Sequence, residues 1–358
     1  MASLIPHSRP TVGEEEAEAA TAAVRSGQIA EGPRVAAFEA EMARYLGRPE
    51  AVALSSGFAA LQLALHALGV SRGDPVVVPS YNCAALAQAV RHLGAEVRLC
   101  DVDPRTGNPT PETVAAAAAG ARAVIVTHLF GRAADAAGIA ALGLPVVEDL
   151  AQGLGARRAE GAAGSFGDLA VCSFYATKLL ATGEGGMVLG NDPGLLGRVL
   201  DARSYDERPD LLPRWNYKLT DVQAAIGLVQ IRRFEGFIAR RREIAARYTE
   251  RFSSAGLLLP ADPPEGRHVF HRYVVGLPGA GGAPPEKTAV EDAVRALESK
   301  GVAARRPVHR PLHLLLGEEG FPGAEEAWRR HLSLPIYPSL TEEEAETIMR
   351  SVCAVIPS

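Results

Sequence analysis

Between residues 51 and 190 the chain alternates short apolar runs with longer amphipathic ones. The runs at 75–79, 96–102, 123–129, 145–148, 169–174 and 186–189 are mostly apolar and β-branched, without strict in–out alternation. That texture predicts strands buried on both faces. The stretches 58–68, 84–93, 113–119 and 135–142 between them read as helices. Such alternation predicts a mainly parallel sheet with helices on both sides, and ligands bind such sheets beyond the C-terminal strand ends. Further on, Thr220 and Gln223 form a capping-box pattern that opens a long helix reaching about Tyr248. Val222, Ala225, Ile226 and Val229 give this helix an apolar face. Beyond Leu257 the texture changes: prolines and Gly266 interrupt the chain, 270–276 reads as a strand, 278–285 is rich in Gly, Ala and Pro, 290–300 is helical and 301–308 is β-like. The expected architecture is α/β, with a large domain over 1–245 and a smaller α+β domain over 246–358.

Composition narrows the function classes. The 358 residues are 47% hydrophobic and 22% charged, enough for a large core and unlike a disordered chain. Lys and Arg number 37 against 42 Asp and Glu, a net charge of −5, so no general attraction to nucleic acid or anionic membrane is implied. The apolar runs are too short to cross a bilayer, and residues 1–10 lack a signal-peptide core, so a cytoplasmic protein is expected. Cys83, Cys100, Cys172 and Cys353 show neither metal-ligand nor disulfide spacing, and no metal site is expected. The arginines at 232, 233 and 240–242 are interrupted by Glu235 and Glu243 without interleaved aromatics, which favours a solvated or ion-paired helix face over a nucleic-acid patch.

Four places carry candidate chemistry. Ser55, Ser56 and Gly57 turn from a short apolar run into a helix, where backbone N–H groups and the positive helix end suit an anion; an ordinary serine N-cap is the alternative. Glu148 and Asp149 end a buried strand, and an Asp there can keep a ring nitrogen protonated, with Gln152 able to reach the same ligand; a loop Asp capping local backbone is the bland reading. The segment from Gly167 to Gly186 delivers Ser173 and then Lys178 to a strand end, followed by a glycine-rich turn. A partly desolvated lysine in such a crevice has a lowered pKa and can serve as a Schiff-base nucleophile and proton carrier. Asn216, just before the long helix, reads equally as a turn residue or a ligand contact.

At these residues the chain resembles the DegT/StrS-type nucleotide-sugar aminotransferases, pyridoxal-phosphate enzymes of fold type I. The resemblance runs nearly end to end, through Ile5 to Pro10, Ser26 to Pro33, Ser56 to Leu61, Thr127 to Gly131, Glu148 to Gln152, Ser173 to Gly186 and Leu332 to Pro338. It implies that Lys178 carries pyridoxal phosphate as a Schiff base, that Asp149 pairs with the pyridinium nitrogen and that Gln152 lies against the ring. It further implies that the backbone of Gly57 and Phe58, with the Ser173 hydroxyl, holds the phosphate. Asn216 matches a position that reaches the phosphate of the neighbouring subunit, which implies a homodimer with shared active sites. The implied reaction moves an amino group from an amino acid, glutamate by expectation, to a keto sugar carried on a nucleotide.

Three departures stand out. Phe58 replaces a common Thr; Cys83 occupies the place of an aromatic stacked on the ring, with Tyr81 nearby; and Pro307 aligns with the family's His, leaving Arg306 or His309 as substrate contacts. Two other readings compete. Sugar dehydratases of this family carry His where Lys178 stands, which speaks against dehydration. A catalytically silent regulatory or binding protein on the same fold is opposed by the intact set of Lys178, Asp149, Gln152 and Ser173.

Overall fold

A computed structural model describes residues 4–279 and 283–356. At its centre is a seven-stranded sheet built from β1 (Glu50–Leu54), β2 (Pro75–Pro79), β3 (Glu96–Cys100), β4 (Ala123–Thr127), β5 (Val146–Asp149), β8 (Leu169–Ser173) and β9 (Gly186–Gly190). The small hairpin of β6 (Arg157–Arg158) and β7 (Gly161–Ala162) lies outside it. In hydrogen-bonded order the sheet runs β1, β9, β8, β5, β4, β2, β3, with β9 antiparallel to both neighbours and the other pairs parallel. Every predicted strand of this region is present.

Period-two alternation explains the layers. Val76, Val78, Ile125, Val147, Val171 and Val188 point into one core, beneath α3 (Gly57–Ala67), α4 (Ala84–His92) and α7 (Pro193–Ala202). Their neighbours Val77, Val124, Val126 and Val146 point to the opposite face, under α5 (Pro111–Ala117) and α6 (Ala136–Ala140). Cys172 and Met187 continue that face under α2 (Pro33–Leu46) and α8 (Asp221–Phe252). With both faces covered, almost no strand position is left polar, which is why the sequence shows apolar runs. The amino-terminal α1 (Glu14–Arg25) packs against α8.

The capping box of α8 is present: the Thr220 hydroxyl accepts from the Gln223 amide, and the Gln223 side chain accepts from the Thr220 amide. This helix passes without interruption through residue 245, and its last turns join a second core around β10 (Tyr273–Gly276) and β11 (His331–Leu334). That core also takes α9 (Ala289–Ser299), α12 (Glu342–Val355) and Ile5 of the amino-terminal arm. Two short helices, α10 (Leu312–Leu316) and α11 (Pro322–Arg330), border it. Three of the α8 arginines singled out in the sequence pair within the chain, Arg233 with Glu16, Arg240 with Glu342 and Arg242 with Asp262, while Arg232 makes no ion pair among the described residues. Arg241 is buried and donates to the carbonyls of Phe270, His271 and Ile336.

Two expected strands are corrected. The 270–276 strand starts only at Tyr273, because Phe270 adopts φ +47° and the Arg272 amide bonds to Phe130 instead of a ladder. The stretch 301–308 forms no strand: Val302 bridges Ile5, Arg305 bridges Ser333, and Pro307 lacks the N–H to extend either pairing. Of the 278–285 segment, residues 280–282 lie outside the described residues.

Candidate active site

Parallel strands deliver functional groups to one edge. Register sets Thr127 opposite Asp149, Asp149 opposite Val171, and Ser173 opposite Gly186, which in turn faces Leu54. Asp149, Ser173 and the Ser55–Ser56–Gly57 turn therefore converge although they are far apart in sequence. Ser56 is the N-cap of α3, accepting from the Ala59 amide at 3.1 Å, so the bland reading of this serine holds. The Gly57 and Phe58 amides lie in the first turn, where helix geometry provides no internal acceptor. Close approach excludes side chains at two glycines: a Cβ on Gly57 would lie 2.6 Å from Ser173 Cβ, and one on Gly186 would lie 2.2 Å from the Ser56 carbonyl oxygen. Bare backbone here leaves a cradle at the helix end with the Ser173 hydroxyl against it. The Phe58 ring turns away and meets His92 edge-on.

Lys178 sits in the loop between β8 and β9. The loop folds onto itself: Phe174 donates to Gly185, Ala176 to Gly183, Thr182 to Phe174, and the Lys178 amide closes a turn onto Tyr175. Burial lowers the Lys178 pKa and the nearby Arg272 charge lowers it further, while Asp149 and Cys83 act in the opposite sense. Burial raises the Asp149 pKa against the Ala151 amide bond and the charge of Lys178. Asp149 Oδ1 accepts that amide, and Oδ2 has no hydrogen-bond donor among the described residues. A ring nitrogen cation is the natural partner for this free oxygen.

Behind Asp149 lies a structural carboxylate. Glu148 is fully buried and accepts from the amides of Gly164, Phe166 and Gly167 and from His128 Nε2. His128 Nδ1 accepts the Ala134 amide, which fixes the proton on Nε2. Gln152 Oε1 accepts from the amide of Phe130, a residue held at φ +61° in the loop after β4. Asn82 bonds Thr127, and Tyr81 is fully buried, edge-on to Phe130 and His331, leaving exposed Cys83 at the mouth.

A model of the DegT/DnrJ/EryC1/StrS aminotransferase family matches residues 10–353. The chain belongs to that family. This aminotransferase is 37% identical to the dTDP-4-dehydro-2,3,6-trideoxy-D-glucose 4-aminotransferase of Saccharopolyspora spinosa, over 95% of this chain and 94% of that one. Among solved structures it is similar to the aminotransferase TlmJ of Streptoalloteichus hindustanus (TM-score 0.92, 35% identity, 98% of each chain). It is also similar to a sugar aminotransferase described as putative, Spr1654 of Streptococcus pneumoniae in its PLP form (TM-score 0.91, 25% identity, 98% of each chain).

The remaining sequence candidates of the aminotransferase lie apart from the lysine loop. Asn216 is exposed, one residue before Tyr217, whose carbonyl accepts the Ser55 amide at 2.7 Å. Arg306 makes a two-pronged ion pair with Glu291 and lies over the Trp328 ring. His309 is exposed, and its carbonyl accepts from Trp328. Arg306 and His309 border a groove of about 940 Å³ that Arg272 also lines. Sequence reasoning missed Arg272 and His128. His128 stands inside a stretch that carried the resemblance, whereas an arginine before a short strand gives no signal at all.

Proposed function

We propose that this aminotransferase moves an amino group from an amino acid, glutamate foremost, to a keto sugar carried on a nucleotide, with pyridoxal phosphate as its cofactor. The observation that carries the reading is the convergence of Lys178, Asp149 and the Gly57–Ser173 cradle at one end of the sheet. The residues fit the cofactor: an amide-lined cradle suits its phosphate, and the free Asp149 Oδ2 suits its ring nitrogen. When bound, the cofactor supplies the aldehyde that receives the amine and a ring that accepts electrons from the reacting carbon.

In this reading the first-turn amides of α3 and Ser173 Oγ orient the phosphate. Asp149 would hold positive charge on the ring nitrogen, and Gln152, held by the Phe130 amide, would lie beside the ring. Lys178 Nζ, whose pKa burial lowers, would take the cofactor's aldehyde and then carry the proton from the donor's α-carbon. Asn216, exposed at the site's rim, serves the phosphate of a second copy in a homodimer. Arg306 and His309 lie where the sugar nucleotide would extend. The division into 1–245 and 246–358 is proposed as the unit boundary, and every residue lining the groove falls within the second unit.

The test is the visible absorption spectrum of the protein given pyridoxal phosphate, before and after L-glutamate, beside Lys178→Ala. The expected result is a visible band that glutamate bleaches and that the variant lacks or alters. A band indifferent to every amino acid would refute amino transfer, and no band would favour a silent scaffold.

A further inference from the structure

Arg272 is a half-buried guanidinium with no carboxylate within 4 Å among the described residues. Among the described residues its side chain has one acceptor, the Pro307 carbonyl at a long 3.4 Å. Other arginines around it have strong partners, Arg306 in Glu291, Arg242 in Asp262 and Arg241 in three carbonyls, although Arg306 Nη1 and Arg241 Nε remain unbonded among the described residues. A half-buried guanidinium without an ion-pair partner leaves most of its five donors free to meet a ligand. The backbone is nonetheless fixed, because the Arg272 amide donates to Phe130 at 3.1 Å, in the loop that also holds Gln152.

Its position is informative. Arg272 lines a small cavity with His7, Thr177 and His271, and Thr177 immediately precedes Lys178. It also forms the inner end of the large groove shared with Arg305, Arg306 and Trp328. Its charge is felt at Lys178.

Resting on the proposed amino transfer, we infer that Arg272 holds the carboxylate of the amino donor. A donor must bring its amine and α-carbon to Lys178, and its α-carboxylate is bonded directly to that carbon. The carboxylate is thus confined near the lysine, where a planar fork can take both oxygens. The phosphates of a sugar nucleotide are the other available anions. A sugar ring separates them from the reacting ketone, which places them farther out along the groove, near Arg305 and Arg310.

The experiment uses the full chain loaded with pyridoxal phosphate, as wild type, Arg272→Gln and Arg272→Lys. Rapid-mixing kinetics with L-glutamate give KM and the limiting rate; butylamine serves as a donor without a carboxylate. Calorimetry measures the binding of glutarate, an unreactive dicarboxylate, and of thymidine diphosphate. In Arg272→Gln the glutamate KM should rise about 10- to 100-fold, glutarate binding should weaken in parallel, and butylamine and thymidine diphosphate should be unaffected. Arg272→Lys, which keeps the charge without the fork, should fall between. Unchanged glutamate KM and glutarate affinity overturn the inference. So does a loss confined to thymidine diphosphate, which makes Arg272 a phosphate contact. Glutarate binding decides the matter even if wild type fails to react with glutamate, an outcome that would count against the proposed function alone.

Discussion

Replacing Glu148 by glutamine tests how the site edge is held. Glu148 Oε1 accepts the Phe166 and Gly167 amides at 2.8 and 2.6 Å, and Oε2 accepts the Gly164 amide and His128 Nε2 at 2.8 and 3.0 Å. A side-chain amide has one acceptor oxygen, so whichever way the substituted side chain turns, its NH₂ faces two N–H donors. Each buried donor left unsatisfied costs about 1–3 kcal/mol, so Glu148→Gln should lose about 2–6 kcal/mol. That is a large share of the stability of an ordinary domain. Urea unfolding at pH 7, followed by circular dichroism, reads the loss. Burial alone would raise the Glu148 pKa, but the His128 and backbone bonds prevail and lower it below its ordinary 4.5. Because the folded value is the lower one, its contribution is complete above about pH 4.5 and is lost as pH falls through the depressed value. The variant's deficit should therefore shrink in acid below that point. A loss under about 1 kcal/mol at pH 7, or a deficit that grows in acid, would refute the reasoning.

Four further outcomes are expected. Gly57→Val puts a branched side chain against Ser173 and should weaken pyridoxal-phosphate binding at least about 10-fold in a fluorescence titration, with helix content unchanged. Asp149→Asn should slow the glutamate half-reaction by about 100-fold or more while the cofactor still binds. The same change removes a carboxylate that favours the Lys178 ammonium, so the pH midpoint for cofactor capture should move down; a midpoint that rises would contradict the assigned proximity. Burial drives His7 and His268 to about 3 and His331 to about 4, against an ordinary 6.5. The unfolded chain then binds protons that the folded chain refuses, so urea midpoints should fall as pH drops from 6.5 toward 4, and His268→Gln should flatten that slope.

Much of this was legible in the sequence, for identifiable reasons. Strands covered on both faces are continuous apolar runs, so β2, β4 and β5 stood out, and a strand's end locates Asp149 and Ser173 without a structure. The Thr220 capping box is local, and so was readable. What escaped depends on contacts between distant segments. The loop before Tyr273 is shaped by docking onto Phe130 and Gly131, and 301–308 lacks a strand partner beyond single bridges. Arg272 is notable only because no acid among the described residues comes near it, and Glu148 because three amides and an imidazole do.

The placement of β9 has a consequence for how the enzyme assembles. β8 and β9 are sequence neighbours paired antiparallel, so the lysine loop closes as a local hairpin, at low entropic cost. The cradle instead requires β1 to find β9 across most of the intervening sheet sequence, a non-local pairing at the outer edge of the sheet. Slow steps in folding are those that join distant segments. A refolding chain should thus acquire its reactive lysine loop before it can grip a phosphate, so recovery of tight cofactor binding times the docking of the sheet's last strand. By mass action a saturating cofactor would then hold that edge shut, and the edge should be the first part of the sheet to exchange its amides when the cofactor is removed.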